Sequence, residues 1–70
     1  MITGSPVVGQ FVLVPMFPAY AKGRRVRGFP ARVCRTVRGS RFATVRLTGR
    51  RFAPEYRVAF AEPAVADGIA

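Results

Sequence analysis

"FPARVCRTVRGSRFATVRL", residues 29–47, sets two β-patterned runs on either side of a Gly-Ser pair, and its reading decides the fold. The second run, "FATVRL", alternates without interruption: Ala43, Val45 and Leu47 fall on one face, Phe42, Thr44 and Arg46 on the other. A period of two is the signature of a half-buried strand. The first run is less regular. Ala31, Val33 and Val37 share a face by period two, yet Arg35 falls on that same face. Either a β-bulge resets the register there, or Arg35 lies beyond the buried part. "RGSR", residues 38–41, supplies Gly39-Ser40 as the centre of a candidate hairpin turn.

Working outward, "GQFVLVP", residues 9–15, is a β-branched and aromatic run bounded by Gly9 and Pro15, and it reads as a buried strand. "MFPAYAKG", residues 16–23, reads as a long connecting loop. The chain is expected to become extended at Val26, to break at Gly28 and Pro30, and to resume as a strand over residues 31–37. Downstream, "YRVAF" alternates again, with Tyr56, Val58 and Phe60 inward and Arg57 and Ala59 outward. Pro63 ends that run. "AVA", residues 64–66, forms one short turn or a final edge strand before Asp67-Gly68 releases the tail. Gly and Pro punctuation leaves no helix-period segment longer than about two turns. The predicted fold class is therefore all-β: a small barrel of four to five short antiparallel strands, with a flexible lead-in at 1–6, one domain at 7–66 and a tail at 67–70. Such a sheet must curl on itself or pair with another copy to cover its apolar face.

A chain of 70 residues buries only about 60% of its unfolded surface, which leaves a homodimer open. With 50% hydrophobic residues the chain is too apolar for a disordered basic tail. One cysteine and no histidine exclude a disulfide framework, a His-ligated metal site and His acid–base catalysis. No Lys or Arg precedes the apolar run "VVGQFVLVPMF", which points away from a signal peptide, and Pro15 and Pro18 leave that run too short to span a bilayer. A cytoplasmic protein with no membrane contact is expected.

Charge is the strongest functional signal. The net charge is +9; residues 23–51 carry ten arginines and no acid, while Glu55, Glu62 and Asp67 all lie downstream. Eleven arginines to one lysine, with abundant Ala, Gly, Pro and Val, matches GC-rich coding, so the net charge rather than the arginine bias carries weight. Unshielded positive charge repels itself, and a polyanion relieves that repulsion. Neutralised phosphates release counterions and give affinity without base readout. The expected partner is DNA or RNA, contacted through Arg24, Arg25, Arg27, Arg35, Arg38, Arg41, Arg46, Arg50 and Arg51, with Phe42 as an outward stacking ring. The competing class is a protein-interaction module, of the kind phages and mobile elements encode, that docks on an acidic surface.

Other constellations carry less. Three acids and no histidine offer little for catalysis, so no enzyme, metal or cofactor is expected. Glu55 and Arg57 are same-face neighbours that can pair. Arg32 and Arg35 flank Cys34 and could activate its thiol, against the simpler reading of a half-buried strand cysteine. Phe17, Tyr20, Phe29 and Phe52 fall in or near loops, where they suit an aromatic cage, but the surrounding arginines disfavour a cationic ligand.

The succession "GQFVLVP", the loop through Lys22, "FPARVCRTV", "FATVRL", "YRVAF" and "AEPAVA" resembles the SH3-like small barrels of the Tudor and KOW type. The likeness covers residues 7–66 and implies a five-stranded, strongly bent barrel whose loops bind nucleic acid or peptide. "PVVGQFV" and "GRRVR" also look like the start of the type B plasmid dihydrofolate reductases, which implies four chains around one pore lined by a Val-Gln-Ile-Tyr stretch. The corresponding late strand here reads "RVAF", without the glutamine, so no site residue is carried over.

Overall fold

The structure is a computed structural model that describes residues 1–14, 20–21, 24–25, 28–49 and 54–70. Its elements are all strands: β1 (Phe11–Val14), β2 (Tyr20–Ala21), β3 (Arg24–Arg25), β4 (Phe29–Thr36), β5 (Phe42–Leu47), β6 (Glu55–Ala59) and β7 (Gly68–Ile69). Strands β1, β4, β5 and β6 lie side by side in that order, and β7 joins the same sheet by pairing with β4; every pairing is antiparallel. β2, inside the stretch 16–23 expected as a loop, and β3, just after it, form a separate two-stranded ladder. No helix among the described residues is long and apolar enough to cross a membrane.

β4 organises the sheet because each of its edges is fully used. One edge pairs with β5 along its length, from Ala31↔Leu47 to Thr36↔Ala43. The other edge is shared end to end. Its first half pairs with β1, and Val33 closes that ladder by accepting from Gly9 N (2.8 Å) and donating to Gln10 O (2.9 Å). From the next residue the partner changes: Cys34 O accepts from Ala70 N (2.7 Å), and Arg35 and Thr36 pair with Ile69 and Gly68. The register on β5 shifts at the same point, between Val33 and Arg35. Backbone groups that a regular strand would leave unmatched at this handover are satisfied instead by the C-terminal segment.

The bulge settles the ambiguity of Arg35. Ala31 and Val33 are buried, Cys34 is half-buried, Arg35 is exposed and Thr36 is buried. Val37, expected inward by uninterrupted alternation, is exposed, because the extra residue at Cys34 has moved it to the other phase. Thr36 takes the inward place, and its hydroxyl is satisfied by donating to Ala66 O at 2.9 Å. Gly28 stands outside the strands as expected, but the break expected at Pro30 is absent: β4 runs through Pro30, which sits one residue from the strand's start and still accepts from Thr48 N through its carbonyl (3.0 Å). Gly28 is needed for a different reason. A Cβ there would come within 2.6 Å of the Val14 carbonyl oxygen, so only glycine lets β4 begin against the end of β1.

The turn between β4 and β5 is centred one residue earlier than expected. Ser40 N donates to Val37 O (2.9 Å), which places Arg38 and Gly39 in the middle, and Gly39 takes the positive φ of 81° that a glycine supplies without strain. The chain ends are also held. Residues 1–6, expected as a flexible lead-in, run beside the end of β6: Ile2 N donates to Ala59 O (3.0 Å), Ala61 N to Ile2 O (2.7 Å), and Glu62 N to Gly4 O (3.1 Å). Residues 67–70, expected as a tail, contain β7 and anchor the β4–β5 turn, with Arg38 N donating to Asp67 Oδ1 at 2.7 Å.

The inward face of the sheet is the core. Val12, Val14, Ala31, Val33, Ala43, Val45 and Leu47 line it, and Phe60, fully buried, closes it with Ala64. Tyr56 lies opposite Val45 as expected of an inward residue but remains 37% exposed, on the last strand of the order β1-β4-β5-β6. β1 differs from its expectation as a buried strand: Val12 and Val14 are inward, whereas Phe11 and Leu13 are 62% and 55% exposed. The phase reset makes a direct prediction for chemical denaturation. Val33→Ala should cost about 2–3 kcal/mol through lost burial and a residual cavity, and Val37→Ala should stay within about 0.5 kcal/mol of the parent; equal losses at the two sites would contradict the bulge.

Candidate functional site

The sheet's outer face carries Arg32, Arg35, Arg46 and Arg57. Registers set them in rows that cross the strands, since residues directly opposite one another share a face. One row reads Phe11 (β1), Arg32 (β4), Arg46 (β5), Glu55 (β6). The next reads Ile69 (β7), Arg35 (β4), Thr44 (β5), Arg57 (β6). A third begins at Phe42 on β5, opposite Ala59. Arg32, Arg35, Arg46 and Arg57 are all exposed. The bulge brings Arg32 and Arg35 to the same side although an odd number of positions separates them.

Guanidinium groups on this face are arranged over rings and beside one carboxylate. Arg32 Cζ lies 4.2 Å from the centroid of Phe11, and Arg57 Cζ lies 5.2 Å from that of Phe42, both within cation–π range. Arg46 Nη2 donates to Glu55 Oε1 at 2.7 Å; this is the ion pair among the described residues, and it replaces the expected Glu55–Arg57 pairing. With side chains 59% and 49% exposed, the pair adds little net stability but fixes where the Arg46 head group sits. The Glu55 hydrogen bond, and then its charge, hold the Arg46 guanidinium above its ordinary pKa. The face therefore presents several cations and one neutralising anion.

Cys34 lies on this face at the bulge, with its Sγ 3.4 Å from Thr44 O and 3.9 Å from Glu55 Oε1. A cleft of about 210 Å³ beside it is lined by Arg35, Thr44, Glu55, Ile69 and Ala70. Burial pushes the thiol pKa up, the Glu55 charge adds to the rise, and Arg46 opposes it. The flanking Arg32 and Arg35 are not among the groups that shift the thiol, and Cys34 has the half-buried place of a strand cysteine. No group of three or more His, Cys, Asp or Glu that could hold a metal ion occurs among the described residues.

The expected contact residues divide into three sets. Arg35, Phe42 and Arg46 meet on the outer face. Arg38 and Arg41 are exposed in the β4–β5 turn, at the end of the hairpin. Arg24 and Arg25 form β3, while Lys22, Arg27, Arg50 and Arg51 lie outside the described residues, as do Phe17 and Phe52. Of the remaining cage candidates, Tyr20 is in β2 and Phe29 packs against the core at the start of β4. Three residues of the face were missed: Arg32, Arg57 and Phe11. Period two places Arg32 outward between Ala31 and Val33, and places Arg57 outward between Tyr56 and Val58, so both were legible. Phe11 was hidden by its uniformly apolar run.

No protein-family model matches the chain, and neither a curated protein nor a solved structure shows significant similarity to it.

The thiol offers a check on the local electrostatics. With its folded-state pKa raised, Cys34 stays protonated to higher pH than an ordinary thiol, and alkylation by iodoacetamide should be slow until the pH exceeds the usual thiol value. Glu55→Gln removes a cause of the rise and leaves the opposing Arg46, so alkylation at mildly alkaline pH should accelerate severalfold. An unchanged rate would show that Glu55 does not act on the thiol.

Proposed function

We propose that this chain is a small nucleic-acid-binding protein that contacts phosphates through its arginine-bearing outer sheet face, with little preference for base sequence. The observation that carries the reading is the gathering of Arg32, Arg35, Arg46 and Arg57 into two adjacent rows with Glu55 as their one ion-paired acid among the described residues. A net charge of +9 on 70 residues makes such a face electrostatically costly in isolation, and a polyanion offsets that cost by neutralising it. Exposed guanidinium groups are suited to this work because their planar forks match phosphate oxygens and remain charged at any physiological pH.

The strand succession supports an SH3-like barrel of the Tudor and KOW type as the scaffold. A long excursion bearing the β2–β3 ladder separates β1 from β4, short connections join β4, β5 and β6, and a short last strand returns to β4. The hydrogen bonds that tie residues 2–4 to the end of β6 bring the chain's start to the sheet's far edge, as closure of a small barrel requires. The exposed Phe11 and Leu13 beside Arg32 give the same face the aromatic and arginine content of a protein-binding surface, so an acidic protein is the competing partner.

Fluorescence anisotropy with a labelled oligonucleotide across about 50–200 mM salt tests the reading. Four phosphate contacts give a slope of log Kobs against log salt of about −3 to −4. Arg35→Glu with Arg57→Glu, both exposed and outside the ion pair, should flatten that slope by about 1.5–2 and weaken binding to every sequence alike, with an unchanged circular dichroism spectrum. Affinity indifferent to ionic strength would contradict it. Capture of one protein at stoichiometric yield from nuclease-treated lysate would favour the acidic-protein partner.

A further inference from the structure

Phosphate contact alone does not call for large exposed rings, yet Phe11 is 62% and Phe42 50% exposed among the arginines. Both belong to the outward phase of their strands, so neither supports the core. Each has a guanidinium over one side of the ring, at 4.2 Å and 5.2 Å, and the exposure leaves the rest of each ring open to solvent. A duplex keeps the flat faces of its bases stacked inside and would find no use for these rings. A single strand can turn its bases outward and lay them on an aromatic side chain.

Resting on the nucleic-acid reading above, we propose that the outer face selects single-stranded nucleic acid: unpaired bases stack on Phe11 and Phe42, and Arg32, Arg35, Arg46 and Arg57 hold the phosphates between them. Two strand spacings and four residues along β5 separate the rings, a diagonal of about 16 Å on a flat sheet. A few nucleotides span that distance, at the short end of the roughly 4–16 nucleotide footprint of small single-strand-binding domains. Arg32 and Arg46 lie in the row of Phe11, and Arg35 and Arg57 in the row between it and Phe42, so cations flank the diagonal on β4, β5 and β6. Arg32 and Arg57 also gain a second role, since a guanidinium parked on a ring is already positioned to close over a base that stacks there.

The test compares anisotropy titrations with oligothymidylate, oligouridylate, a duplex of equal length and an abasic phosphodiester chain of equal length, all at low salt. The expected result is that both base-bearing single strands bind tighter than the abasic chain and the duplex. Replacing the rings, Phe11→Leu with Phe42→Leu, should weaken binding to the single strands by about tenfold or more per ring and leave the abasic chain unaffected; Phe11→Tyr with Phe42→Tyr should restore it. Equal affinity for the abasic chain and oligothymidylate, or tighter binding of the duplex with no effect of the leucine variant, would overturn the single-strand proposal while leaving phosphate binding in place. Absence of binding to all four chains would overturn the nucleic-acid reading itself.

Discussion

The edge of β4 is shared between the two ends of the chain, and the rest of the molecule depends on that handover. Val33 spends both backbone groups on Gly9 and Gln10, and Cys34 turns its carbonyl to Ala70. The bulge between them lets one strand serve two partners in line without stranding a polar group. It also fixes which side chains point out. Without the extra residue, Arg35 would point toward Phe60 and Val45, where an unpaired cation could not be accommodated. With it, Thr36 enters the core on a hydrogen bond to Ala66, and Arg35 joins Arg32 on the solvent side.

From that placement follow the two unlike faces of one sheet. The inward side is made of small and β-branched residues, with alanines at positions 31, 43 and 64 allowing the strands to close over Phe60. The outward side holds cations that would repel one another, moderated locally by the Phe11 and Phe42 rings and by Glu55. The remaining acids serve elsewhere: Asp67 accepts from the Arg38 backbone at the hairpin end, and Glu62 lies in the bend after Phe60. The Asp67 carboxylate thus anchors the β4–β5 turn and that of Glu55 positions Arg46, and the outer face keeps its excess of positive charge.

Much of this was legible in the sequence, for identifiable reasons. β5 alternates cleanly, so Ala43, Val45 and Leu47 could be assigned to the core and Phe42 and Arg46 to the surface from period alone. The misplaced charge at Arg35 signalled the bulge, although period could not show that the inward place expected of Val37 would pass to Thr36. Pro30 carries the local pattern of a break, and its carbonyl partner, Thr48, lies just past the far end of β5, which local pattern cannot locate. Residues 1–6 and 67–70 carry the composition of loose ends, and their order comes from long-range pairing with Ala59, Cys34 and Arg38. Phe11 escaped notice for a related reason: in a wholly apolar run, which alternate residues face water is decided by the partner strand.

The central claim is that the outer face gathers its guanidinium groups into one surface that an anionic polymer covers. Arginine side-chain Nε–Hε resonances of the isotopically labelled protein, followed during titration with a short oligonucleotide at low salt, test it most directly. The account predicts that the signals of Arg32, Arg35, Arg46 and Arg57 shift together and first, while the backbone signals of Val33, Val45 and Phe60 stay in place. Shifts centred on Arg38 and Arg41 at the hairpin end, or spread evenly over the arginines, would contradict it.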